Sequence, residues 1–186
     1  MKHLYLLGLL CVAGHAGAED WVLKTSTDSM TDTITKEATI SAPTGESLTL
    51  LRRSDGSVWG YFRPANGQMF SAGDHLIVRV DKNKPIELNG KLEELMARVG
   101  KKMEVWDWNP TLIATRIWHG KVSDGCGIIQ QLYNGQTMIV RNHPNESTYR
   151  DTTYTLGGNR EALLQALDVD INACPPPKPQ SAAPGK

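Results

Sequence analysis

The sequence predicts a mainly β protein of the α+β class: an antiparallel β-sandwich or rolled sheet with one mid-chain helix and a C-terminal helix. About eight short segments alternate apolar and polar residues, as half-buried strands do. Short turns join these segments, which favours antiparallel pairing over the strand–helix alternation of a parallel sheet. Two stretches place apolar residues at helical spacing and predict the helices.

In the N-terminal half, strand patterns precede the first helix. The pair Asp55-Gly56 lies between two of them and predicts a β-hairpin turn. The last strand alternates strictly, with Leu76, Val78 and Val80 on one face, and Pro85 ends it. The predicted strands cover 19–29, 30–42, 48–53, 58–62 and 76–80.

The mid-chain helix is predicted over 89–101, with Gly100 where a C-terminal stop belongs. The C-terminal helix is predicted to begin after Asn159, whose side chain can cap the first turn. Its apolar stripe is Leu163, Leu164 and Leu167. The apolar positions of the mid-chain helix are Leu92, Leu95, Met96 and Val99.

Between the two helices the sequence returns to strand patterns. Trp106 and Trp108 precede Pro110, and 112–118 follows as another strand. The segment 127–143 predicts a hairpin about Asn134-Gly135, because this dipeptide is typical of two-residue hairpin turns. The segment 148–158 predicts one further strand.

Residues 1–18 have the three parts of a secretory signal peptide: Lys2, the apolar run Leu4 to Val12, and small residues up to Ala18. The run of about nine residues is shorter than the ~20 that span a bilayer. We therefore expect cleavage after Ala18 and a periplasmic or secreted product without a membrane span. A membrane anchor and lipidation at Cys11 are the alternatives. The expected organisation is a signal peptide at 1–18, one β-rich domain at 19–174 and a proline-rich disordered tail at 175–186.

Cleavage would leave two cysteines, Cys126 and Cys174, and two cysteines in an oxidising compartment usually pair. Their disulfide would close a loop of roughly 49 residues, for which the chain-entropy model gives roughly 4 kcal/mol. The alternative is a Cys126 nucleophile assisted by His119, His143 or Asp124. No family signature surrounds Cys126, so we expect a structural crosslink and no enzyme.

The charge balance argues against nucleic acid as a partner. The chain has 20 Lys and Arg against 20 Asp and Glu, and removal of Lys2 leaves about −1. No basic surplus is left to neutralise phosphates. His75, His119 and His143 lack the tight spacing of zinc ligands, so neither a metal nor another cofactor is expected.

Trp106 and Trp108 are the candidate binding surface. Residues two apart on a strand share a face, so the pair forms either a core layer or a platform for a sugar ring or peptide. Five tryptophans against two phenylalanines make the composition unusual in this respect. The platform hypothesis predicts a cell-wall carbohydrate-binding module.

Several short motifs occur in an order that resembles a known family. Trp21 is followed by STDSMTDT, then LIVRVDKNKP, then MIVRNHPNESTYRDTTYTLGGNREALLQAL and a terminal Cys174. This order is similar to that of the exported VasI or TagO proteins associated with type VI secretion in Gram-negative bacteria. It resembles, more loosely, the invasion-associated locus B type of periplasmic protein.

The resemblance covers most of the chain after residue 18. A cysteine expected near the strand at 48–53 is absent, so the family's disulfide connectivity does not transfer. The resemblance implies an envelope accessory role through binding of a protein partner, with no catalytic residues to carry over. A carbohydrate-binding module and a Cys126-dependent hydrolase remain the alternatives. The matching positions are Trp21, Ser26, Ser29, Asp32, Arg79, Val80, Asp81, Tyr154, Thr155, Leu156, Gly157, Gly158, Ala162, Leu163, Leu167 and Cys174.

Overall fold

The computed structural model describes residues 20–70, 76–88, 106–109, 111–122, 125–145 and 148–175, without the side chains of 106–109 and 143–145. It contains two antiparallel sheets and two α-helices in these ranges, which confirms the predicted mainly β, sandwich-like α+β class. The predicted signal peptide, the predicted helix over 89–101 and the tail beyond Pro175 lie outside the described residues.

Within the described ranges, the elements before the last third of the chain are strands. The strands are β1 (Val22–Thr27), β2 (Ile34–Ser41), β3 (Ser47–Arg52), β4 (Val58–Arg63), β5 (Ile77–Val80), β6 (Ile86–Glu87), β7 (Trp106–Asn109), β8 (Leu112–Trp118), β9 (Thr137–Asn145) and β10 (Thr148–Thr155). The helices are α1 (Gly127–Asn134) and α2 (Arg160–Leu167), followed by a 3₁₀ turn at Ile171–Ala173.

The strands form a six-stranded sheet in the order β1-β2-β3-β4-β8-β7 and a four-stranded sheet in the order β10-β9-β5-β6. Every pairing between these strands is antiparallel. The predicted hairpin is β3–β4, with Leu48 opposite Phe62. Its turn needs Gly56, which has φ +85° in the left-handed region that favours glycine.

One face of the six-stranded sheet, here called the inner face, forms the core. Alternation along the strands places its apolar residues on that face. α2 covers the β1–β3 part of the inner face, and the apolar face of the four-stranded sheet belongs to the same buried cluster. The sheet contributes Ala38, Ile40, Leu48, Leu50, Phe62 and Ile113, and the smaller sheet contributes Val78, Val80, Met138, Val140 and Tyr154.

The prediction of a hairpin about Asn134-Gly135 is wrong in its first arm, because residues 127–134 form α1. Ile128, Ile129 and Leu132 are buried in that helix, which is helical spacing rather than alternation. Gly135 follows the last helical residue, and its N–H donates to the carbonyl of Gln131. β9 instead forms its hairpin with β10, which confirms the strand predicted at 148–158.

The C-terminal helix is confirmed, with Leu163 and Leu167 buried and Leu164 partly buried. The expected cap by Asn159 is wrong: its side-chain amide donates to the carbonyl of Trp21 at 3.0 Å and makes no capping bond. This bond ties the start of α2 to the residue before β1. Tertiary contact therefore determines the role of this side chain.

Among the described residues, no helix combines the length and the apolar character needed to span a membrane.

Candidate functional site

The end of β8 and the residues that follow it have a structural role. Trp118 is buried, and its indole N–H donates to the carbonyl of Gly125 at 2.9 Å. His119 follows the strand and is exposed. Gly120 has φ +78°, and an added Cβ would lie 2.0 Å from the carbonyl oxygen of Gly56, so a side chain cannot fit there.

Cys126 and Cys174 form a disulfide, with their Cα atoms 5.6 Å apart and both residues buried. The bond joins the residue before α1 to the residue after the 3₁₀ turn. A sulfur held in a disulfide is not a thiolate, so the sulfur of Cys126 cannot act as a nucleophile in this state. Its geometry agrees with the crosslink predicted from the sequence.

Trp106 and Trp108 lie on β7, as the sequence predicts for a strand before Pro110. The backbone register places them opposite Thr115 and Ile113, which are both buried. The side chains of these two tryptophans are outside the described part of the molecule. The carbohydrate platform therefore stays a prediction, which titration with peptidoglycan fragments while recording tryptophan fluorescence would test.

The face of the six-stranded sheet that points away from the core, here called the outer face, carries a stacked arginine and tryptophan. The guanidinium carbon of Arg53 lies 3.6 Å from the ring centroid of Trp59. Arg53 also donates to the Tyr61 hydroxyl at 3.1 Å. Arg116 lies beside Trp59 in the sheet register. We call Arg53, Trp59, Tyr61 and Arg116 the arginine–tryptophan surface.

The turn of the β3–β4 hairpin holds this surface in place. The indole N–H of Trp59 donates to the Ser57 hydroxyl at 3.0 Å, and that hydroxyl donates to the Asp55 carboxylate at 2.6 Å. Hydrogen bonds from the Ser57 side chain and backbone lower the pKa of Asp55 below its usual value, with further help from Arg53 and Arg116. The carboxylate therefore stays charged and keeps the ring oriented.

A second arginine–aromatic stack lies on the outer face of the four-stranded sheet. Arg141 lies 4.1 Å from the Tyr149 ring centroid and donates to both Asp151 oxygens at 2.7 and 2.8 Å. The Arg141 hydrogen bonds lower the pKa of Asp151. Here a bidentate acidic partner already satisfies the guanidinium, which distinguishes this stack from the one on the larger sheet.

A cavity of about 240 Å³ opens between the two sheets. β4 supplies Phe62, and the inward face of β9 and β10 supplies Val140 and Tyr154. Leu76 completes the apolar part of the wall. The cavity thus lies at the end of β4 away from Trp118, because Phe62 pairs with Ile113 while Val58 pairs with Trp118.

One side of the cavity carries charged groups. Glu46 is 6% exposed, and it forms an ion pair with Arg150 across the gap between the sheets. Its other carboxylate oxygen accepts a hydrogen bond from the Thr44 hydroxyl. Arg63 and the buried side chain of Asn142 also line this side.

Comparisons with protein-family models, with curated proteins and with solved structures found no match. Within the described ranges, no three His, Cys, Asp or Glu side chains converge as a metal site would require. The arginine–tryptophan surface and the cavity are candidate binding features of the described residues.

Sequence reasoning identified neither of these two features. A signal for the first was present, because the hairpin prediction brings Arg53 close to Trp59 at the start of β4. No comparable signal existed for the cavity, whose ion pair joins residues 104 positions apart.

Proposed function

We propose that this chain is a non-enzymatic, exported accessory protein of the bacterial cell envelope that binds a protein partner through the arginine–tryptophan surface. The disulfide supports export, since such bonds persist in oxidising compartments. The resemblance to VasI or TagO proteins points to a type VI secretion component as the partner.

The observation that carries the proposal is the stack of Arg53 on Trp59 beside Tyr61. Arginine, tryptophan and tyrosine are the residue types that contribute most binding energy at protein interfaces. Trp59 itself is only 6% exposed, so a partner would contact Arg53 and Tyr61 while the indole supports them from below.

The surface is ordered before any partner arrives. The bonds from Asp55 through Ser57 to Trp59 restrict the ring, and the ring restricts Arg53. An ordered surface loses less conformational entropy on binding than a flexible one. The helices that pack on this sheet lie on its inner face, and this leaves the arginine–tryptophan surface available in the described part of the chain.

The test is capture of partners from periplasmic extract by the mature protein and by an Arg53→Ala/Tyr61→Ala variant. We expect the native protein to retain secretion-system components and the variant to retain roughly tenfold less, as for loss of a binding hot spot. Arg79→Ala is the matched control, because Arg79 is an exposed arginine on the other sheet.

Equal retention by the native protein and the double variant would refute the role of this surface. Capture of no envelope protein would refute partner binding altogether. Intact mass measurement of the exported protein tests export itself: loss of residues 1–18 and of the two thiol hydrogens is expected.

A further inference from the structure

The cavity between the sheets combines an apolar floor with a charged rim. Phe62, Leu76, Val140 and Tyr154 form the floor, and all four are buried in the core cluster. Pockets that bind small molecules have this composition: a mostly apolar lining with a few polar groups placed at one side.

The volume sets the size of a ligand. An engineered cavity of about 150 Å³ in another protein holds benzene, so a cavity of about 240 Å³ accommodates roughly ten non-hydrogen atoms. This corresponds to one aromatic ring, or a short aliphatic chain, with a small head group. A whole peptide segment or a long acyl chain does not fit.

The charges at the rim set the chemistry of that head group. Two arginines, Arg63 and Arg150, and one carboxylate, Glu46, line the cavity, and Arg150 is paired with Glu46. Both Glu46 oxygens already accept hydrogen bonds, one from Thr44 and one from Arg150. A cationic ligand would therefore meet excess positive charge and an already engaged acceptor.

The Arg150 side chain is 30% exposed and has N–H groups beyond the one directed at Glu46. A guanidinium has five N–H donors in a planar fork that matches the geometry of a carboxylate. Arg63 is exposed at the same rim. The rim can therefore hold an anion while the Glu46–Arg150 pair stays intact.

We propose that this cavity binds a small apolar carboxylate, with its ring or chain on the Phe62, Leu76, Val140 and Tyr154 floor and its carboxylate between Arg63 and Arg150. This site is separate from the arginine–tryptophan surface, so it does not depend on the proposed partner. It makes the protein a receptor for a small organic acid.

Calorimetric titration of the mature protein with 3-phenylpropionate, at low salt, tests the proposal. We expect a dissociation constant in the micromolar to millimolar range for a ligand of this size. The matching neutral amide should bind roughly tenfold more weakly, because charge-assisted hydrogen bonds to arginine are lost. Chemical-shift changes in the Leu76 and Val140 methyl groups should accompany binding of the acid.

Two variants localise the interaction. Arg63→Gln should weaken acid binding roughly three- to tenfold and leave amide binding unchanged, because one cationic contact is removed. This variant is expected to fold, since Arg63 is exposed. Val140→Phe fills the floor and should remove binding of both compounds. Arg79→Gln, on the outer face of the four-stranded sheet, is the control that should bind like the native protein.

Three results would overturn the proposal. One is that the folded native protein binds no acid at concentrations up to about 10 mM. This limit is about tenfold above the weakest expected dissociation constant. Another is equal affinity for acid and amide. The third is equal weakening by Arg63→Gln and by Arg79→Gln.

Discussion

The two ends of the β3–β4 hairpin differ in how they hold the sandwich together. At the cystine end, where Arg52 pairs with Val58, the Cys126–Cys174 bond and the hydrogen bond from Trp118 to the carbonyl of Gly125 hold the structure together. At the cavity end, where Ser47 pairs with Arg63, the sheets are joined by the Glu46–Arg150 ion pair beside an open space.

The difference separates a crosslinked end of the domain from the end that contains the proposed ligand site. The cystine end has a covalent link and the buried Trp118, which is hydrogen-bonded to Gly125, so it contributes rigidity. The cavity end keeps two arginines and a buried carboxylate next to apolar walls, an arrangement that costs desolvation energy.

Removal of the disulfide should have the largest effect on the stability of the protein. Cys126→Ser/Cys174→Ser is expected to lower the free energy of unfolding by about 2–4 kcal/mol, because the unfolded chain regains the entropy of an open loop. Denaturant unfolding measures this loss. Reductant should destabilise the native protein by a similar amount and leave the variant unaffected. Coincident unfolding curves for native protein and variant would contradict the assignment.

Next in size is the ion pair at the cavity end. Glu46→Gln should cost about 1–3 kcal/mol, less than a fully buried pair because Arg150 is 30% exposed. Glu37→Gln, on the outer face, is the control with little expected change. The single variant Arg150→Gln and the double variant Glu46→Gln/Arg150→Gln complete a double-mutant cycle in the same unfolding assay. If the losses of the two single variants add up to the loss of the double variant, the two charges are not coupled.

A smaller loss is expected from Arg52, which donates to the carbonyls of Leu167 at 3.3 Å and Asp168 at 2.6 Å. Cations at a helix C-terminus satisfy its last carbonyls. Arg52→Met should therefore cost about 1 kcal/mol in thermal or denaturant unfolding. Asp168→Asn should change little, since its side chain is 97% exposed. Equal effects from the two variants would indicate a surface charge effect instead.

The smallest effect concerns pH and the Arg141–Asp151 pair on the outer face. Because Arg141 lowers the pKa of Asp151, folding gains stability above the usual carboxyl pKa. That gain is lost as the pH falls through the lowered pKa of the folded state. Asp151→Asn should cost about 0.5 kcal/mol or less at neutral pH, since the pair is exposed. The difference from native protein should vanish in acid; a constant difference would show that charge is not responsible.

Local pattern determined much of the fold. The β3–β4 hairpin, β8, β10 and α2 lie where alternation, an Asp-Gly turn and helical spacing predicted them. The cysteine count, taken with the predicted cleavage of residues 1–18, predicted the Cys126–Cys174 pair, because two cysteines allow only one pairing. These features depend on residues close in sequence or on simple counting.

Tertiary structure decided the rest. Asn134-Gly135 fits a hairpin turn and a helix end equally well, and burial of Ile128, Ile129 and Leu132 selected the helix. Asn159 bonds to Trp21 instead of capping because the start of the domain packs beside it. The Glu46–Arg150 pair and the cavity join segments about a hundred residues apart. Side chains from distant strands come into contact only when both sheets have packed, so no local sequence pattern predicts these contacts.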